Sequence, residues 1–215
     1  MDTFSKKFHI TIAGHSYVKW LRHFIINDRV DVLGKINMNF GIYKEDVSIT
    51  FHARPGATLF DLQCGTHMIL KRKIDLIILM IGGNDLQKQT NDPCELAVKT
   101  FNYAKYLISK GVKFVAVMQV IERNVEKFKG RADLYNTRIK AMMKDEPQMR
   151  FWELRRISPK DLRGDGIHLN NRGNYFLYHG VKACIRHALT HIIEESACIH
   201  EVEMVKRRGG KSLPR

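Results

Sequence analysis

In Asp165-Gly166-Ile167-His168 a carboxylate stands three residues ahead of an imidazole, just before an amphipathic run that reads as the last helix. An aspartate so placed accepts from one ring nitrogen and leaves the other to take a proton, the pairing of a general base with its orienting acid. A base of this kind needs a nucleophile. Ser16, in Gly14-His15-Ser16, stands where an apolar run ends and a helical pattern begins. Unpaired N–H groups at a helix start favour developing negative charge there, although taken alone serine in that place reads first as a plain N-cap.

Two more residues suit an oxyanion. Gly56, in Arg54-Pro55-Gly56-Ala57-Thr58, opens a helical stretch; it either satisfies a tight turn or lets its N–H approach a ligand closely. Asn84, in Gly82-Gly83-Asn84-Asp85, ends the most apolar run of the chain. It is either a turn residue or a carboxamide donor, a contact whose loss costs about 2.7 to 4 kcal/mol in a known protease. Chain order thus supplies nucleophile, donor, donor, acid and base.

The elements that must position these groups alternate. Short apolar runs at residues 8–14, 47–53, 74–83, 112–121 and 149–154 predict strands, and helical patterns at 17–28, 57–70, 93–111 and 129–145 lie between them. A final helix is predicted from Asn171 to Glu195. Pro93 suits the first turn of the third helix and Gly111 its stop. The pattern predicts a three-layer α/β/α domain with a five-stranded, mostly parallel sheet. Such sheets place function at the carboxyl ends of their strands, and Ser16, Gly56 and Asn84 all follow strand ends.

Taken together, Gly14-His15-Ser16, Gly56, Gly82-Gly83-Asn84-Asp85 and Asp165-Gly166-Ile167-His168 resemble the conserved blocks of the SGNH hydrolases, the GDSL esterase/lipase superfamily. The resemblance spans about residues 8–195. It implies a flavodoxin-like fold, no metal and no organic cofactor. It implies Ser16 as nucleophile, His168 as base and Asp165 as orienting acid, with the N–H groups of Ser16 and Gly56 and the Asn84 amide as the oxyanion hole. His15 departs from the usual Gly-Asp-Ser block and is read as a structural substitution that alters the electrostatics beside Ser16. The Gly-His-Ser form is similar to an animal branch that includes retroelement-encoded esterase domains.

The bulk properties bound the reading. The 215 residues suit one domain, here 1–195, followed by a basic tail, 196–215, expected to be flexible. The N-terminal apolar run is shorter than a signal-peptide core and no stretch reaches ~20 apolar residues, so an intracellular, cytoplasmic protein is expected. Cys64, Cys94, Cys184 and Cys198 stand apart and suggest neither a zinc ribbon nor a disulfide framework. His187 and His191 are four apart but lack a third ligand. Phe101, Tyr103 and Tyr106 read as packing residues rather than a stacking platform.

The net charge of +14 favours anionic partners without specifying one. Its clusters are Lys6-Lys7, Lys71-Arg72-Lys73, Arg155-Arg156 and Lys206-Arg207-Arg208. Two functions therefore stand: a serine esterase acting on short-chain carboxylic esters, and a catalytically silent module of the same fold that binds RNA or another polyanion. Retention of both Ser16 and His168 favours the first. Residues 87–92 and 158–164 adjoin the motif blocks and are expected to flank the substrate.

Overall fold

The computed structural model describes residues 7–27, 36–43 and 45–209, with side chains described through residue 198. Five strands, β1 (Phe8–Gly14), β2 (Val47–Ala53), β3 (Leu76–Met80), β4 (Phe114–Met118) and β5 (Met149–Trp152), form one sheet in the order β2-β1-β3-β4-β5. Every pairing is parallel. The expected runs at 74–83 and 112–121 are longer than the strands they contain, because residues at both ends of each run lie outside the sheet.

Period-two alternation divides the core into two layers. On one face Ile10, Ile12, Ile78, Met80, Phe114 and Ala116 pack with residues of α1 (Ser16–Asn27) and α7 (Asn171–Gly209). On the other, Ile77, Leu79, Val115 and Val117 meet α2 (Leu59–Cys64), α5 (Pro93–Ser109) and α6 (Arg131–Met143). The strands of the middle are buried on both faces, with Leu76–Met80 and Phe114–Met118 entirely inside. This is the three-layer α/β/α, flavodoxin-like arrangement that the alternating pattern predicts.

Several boundaries differ from the sequence expectation. The second helical stretch is broken at Gly65 into α2 and α3 (Thr66–Ile69). Gly56 does not open α2; it lies in a turn, and α2 begins at Leu59 behind a capping box of Thr58 and Asp61. The final helix continues past Glu195 to Gly209, since no glycine or proline interrupts the chain from 181 to 208. The expected end of the first helix at Asp28, Lys6 and residues 210–215 lie outside the described residues. Among the described residues, no helix is long and apolar enough to cross a membrane.

Candidate active site

Strand order reverses direction of growth between β1 and β3, and a crevice opens outside the carboxyl ends at such a switch point. There the two strands approach closely: a Cβ on Gly14 would lie 2.1 Å from the Met80 carbonyl oxygen. The chain leaving β1 is tied to both neighbours, with His15 N–H donating to Met80 O at 3.2 Å and Arg54 N–H donating to Gly14 O at 2.9 Å. Ser16 is thereby fixed as the first residue of α1.

Ser16 does not cap that helix. The side chain of His15 does, its Nδ1 accepting the Tyr17 N–H at 3.3 Å. That bond requires an unprotonated Nδ1, and burial, with lesser contributions from the charges of Arg123 and His168, lowers the His15 pKa to about 3. At 3% exposure His15 is a neutral structural group. The Ser16 hydroxyl is left for His168, whose Nε2 lies 3.2 Å from Oγ.

His168 is held from the other side by Asp165, with Nδ1 and Oδ2 2.7 Å apart. The other carboxylate oxygen of Asp165 accepts the N–H groups of Ile167 and His168, both at 2.8 Å. Burial opposes ionisation of Asp165, but these backbone bonds and the His168 side chain overcome it and hold the carboxyl down at about 2. Gly166 takes φ +66°, a left-handed conformation suited to glycine, and its carbonyl accepts from Asn124 N–H at 2.9 Å. Tyr17 reaches across from α1, its hydroxyl donating to Ile167 O at 2.6 Å.

The two remaining motif residues meet each other's loops. Gly56 has φ +77° in the turn closed by Ala57 N–H on Arg54 O. A Cβ there would touch nothing within 4 Å, so its backbone faces open space. Asn84, in the short α4 (Gly83–Leu86), donates through Nδ2 to Ala57 O at 3.0 Å. Among the described residues, no protein acceptor takes the N–H of Ser16 or of Gly56.

Several further residues surround the site without belonging to a motif block. Arg123, from the loop after β4, donates to Asn84 Oδ1 at 3.1 Å and to Gln87 Oε1 at 2.8 Å. Trp20 lies edge-on to His168, with centroids 6.1 Å apart, and Arg163 lies 4.2 Å over the Trp20 ring. From the segments 87–92 and 158–164, Gln87 contacts Arg123 and Arg163 lies over Trp20. Arg123 follows a strand end, the one general signal by which it was accessible.

His187 and His191 pack on aromatic rings, Trp152 at 5.7 Å and Phe114 at 5.3 Å. Among the described residues, no group of three or more His, Cys, Asp or Glu side chains is arranged to hold a metal ion. All four cysteines are free, with Cys184 buried. Tyr103 is a core residue, whereas Tyr106 is exposed.

No protein-family model matches the chain, and no curated protein matches it. Solved structures do. A GDSL-like lipase from Bacteroides thetaiotaomicron aligns with a TM-score of 0.66 at 13% identity, over 84% of this chain and 88% of that one. A lipase/acylhydrolase from Enterococcus faecalis aligns at 0.64 and 16% identity, over 83% and 95%. An acetylxylan esterase from Geobacillus stearothermophilus aligns at 0.61 and 15% identity, over 89% and 96%. At these identities the likeness is one of fold, and the chain has the α/β/α fold of SGNH hydrolases.

Proposed function

We propose that the protein is a serine esterase of the SGNH hydrolase type. The observation that carries this reading is the relay of Ser16 Oγ, His168 and Asp165, with separations of 3.2 and 2.7 Å. His168 Nε2 takes the Ser16 proton as Oγ attacks the ester carbonyl, and Asp165 stabilises the resulting imidazolium. The oxyanion is received by the N–H groups of Ser16 and Gly56 and by the Asn84 amide. His168 then returns the proton to the leaving alcohol. Water, deprotonated by His168, attacks the acyl-serine; collapse of the second tetrahedral intermediate frees the acid and restores the Ser16 hydroxyl. The chemistry uses no metal and no organic cofactor.

We infer short acyl chains as substrates, acetyl among them. The similar folds include an acetylxylan esterase, and the sequence contains no long apolar lid. Hydrolysis of p-nitrophenyl acetate and fluorophosphonate labelling test the reading: wild type turns over and labels, and Ser16→Ala does neither. Turnover surviving in Ser16→Ala removes the assignment.

An additional contact with single-stranded nucleic acid is supported by a groove of about 690 Å³ along the β5 edge, lined by Lys140, Lys144, Arg150, Arg155, Arg156 and Trp152 among others. Glu153 pairs with Lys140 and Arg155; among the described residues Lys144, Arg150 and Arg156 have no ion-pair partner. Cations beside an aromatic ring suit a phosphate backbone with stacked bases. Anisotropy of a labelled oligouridylate should show binding that weakens steeply with salt and is lost in Arg150→Glu/Arg156→Glu. No binding of wild type at low salt removes this second reading and leaves the first untouched.

A further inference from the structure

Arg123 is 4% exposed, and its side-chain hydrogen bonds go to two neutral carboxamides, Asn84 and Gln87. Its guanidinium carbon lies 5.1 Å from the Phe128 ring centroid. A buried cation among neutral acceptors is costly. The arrangement also demands room: a Cβ on Gly83 would fall 2.7 Å from Arg123 Nη2 and 3.3 Å from His15 Nε2.

What the guanidinium does follows from its chemistry. It has five donors and no acceptor, whereas a carboxamide has an accepting end and a donating end. Arg123 therefore meets Asn84 at Oδ1, and the Ala57 carbonyl, an acceptor, meets it at Nδ2. A flipped amide would set donor against donor at Arg123 and acceptor against acceptor at Ala57. The orientation is chemically determined rather than a matter of assignment. One Nδ2 hydrogen goes to Ala57 and the second is left for a ligand. The positive charge at Oδ1 also polarises the amide and makes that second hydrogen a stronger donor.

We propose that Arg123 is a positioning residue of the oxyanion site: it fixes and polarises the Asn84 carboxamide so that Nδ2 donates to the developing oxyanion. The proposal rests on the esterase reading.

A double-mutant cycle tests it, with p-nitrophenyl acetate as substrate. Arg123→Met lowers kcat about 30- to 100-fold with KM changed less than threefold, and Asn84→Ala lowers kcat about 100- to 1,000-fold. In the Asn84→Ala background, Arg123→Met lowers kcat by less than a further threefold. Multiplying losses, or an Arg123→Met enzyme within threefold of wild type, overturns the proposal. Should Arg123→Met fail to fold, Arg123→Lys carries the same cycle, because one ammonium lacks the fork that holds two amides.

If wild type neither turns over nor labels at Ser16, the esterase reading itself fails. The Asn84 side-chain amide resonances of ¹⁵N-labelled protein still decide the relation. They are distinct and slowly exchanging in wild type and collapse toward free-amide values in Arg123→Met or Arg123→Lys; unchanged resonances overturn it.

Discussion

The Asp85 carboxylate accepts the Leu59 N–H with both oxygens, at 3.0 and 3.2 Å. Asp85 follows Asn84 and Leu59 begins α2 three residues after Gly56, so this bond and the Asn84–Ala57 bond lock the loops after β3 and β2 together. Burial pushes the Asp85 carboxyl pKa up, and the Leu59 N–H opposes that. Asp85→Ala should cost about 2 kcal/mol and lower ester turnover, because a buried donor loses its acceptor. Asp85→Asn keeps an acceptor and should cost about half as much. Urea denaturation ranks the pair; an alanine variant as stable as the asparagine variant removes the locking role.

The Asp165 carboxyl, held at about 2 in the fold against an ordinary 3.8, makes a pH-dependent contribution. A depressed folded pKa stabilises the protein above the unfolded value and loses that effect as pH falls through the folded one. The stability difference between wild type and Asp165→Asn should therefore be present at pH 7 and fade between about pH 4 and 2. Because the side chain is 44% exposed, the difference is under about 1 kcal/mol. On the proposed mechanism turnover is far more sensitive and should fall on the order of 100-fold or more in the same variant, as the His168 tautomer loses its partner. Equal turnover would separate Asp165 from the chemistry.

Two glycines near the site make opposite predictions. A Cβ on Gly14 would lie 2.1 Å from the Met80 carbonyl oxygen, which is backbone and has nowhere to go, whereas one on Gly164 meets nothing within 4 Å. Gly14→Ala should destabilise by about 3 kcal/mol as β1 and β3 are forced apart. Gly164→Ala should stay within about 0.5 kcal/mol of wild type. Thermal unfolding of the two proteins side by side checks the close approach that sets Ser16.

The sheet and the motif residues were legible because both are local patterns. Apolar runs such as 76–80 are too short for helices, and Gly-His-Ser and Asp-Gly-Ile-His are contiguous in the chain. What was not legible depends on contacts across the chain. Whether Ser16 capped α1 or faced His168 turned on the neighbouring His15 side chain, which took the cap. Gly56 stands in a turn rather than at a helix start, since the cap chemistry resides in Thr58 and Asp61. Arg123 lies 39 residues from Asn84, and only the packing of the β4 loop against α4 joins them. The final helix runs to Gly209 because no glycine or proline breaks it from 181 to 208, a continuity that the charge of this segment does not signal.

His15 gives a second, separate pH window. Its folded pKa of about 3 lies below the ordinary 6.5, first through burial and then through the charges of Arg123 and His168. For a histidine, a depressed folded pKa means that the unfolded chain takes up a proton while the fold does not. Stability is full above about pH 6.5 and falls as pH drops toward 3, by up to a few kcal/mol. His15→Asn removes the titration and keeps a side-chain acceptor for the Tyr17 N–H, asparagine being a favourable N-cap. Urea denaturation at pH 7, 5.5 and 4.5 should show wild type losing stability across the series and His15→Asn holding nearly level. At neutral pH the same variant should retain ester turnover within a few-fold, because a neutral, enclosed ring serves as a cap and not as a base. Parallel acid losses in the two proteins would place the titrating group elsewhere, and a collapse of turnover in His15→Asn would give His15 a part in the reaction itself.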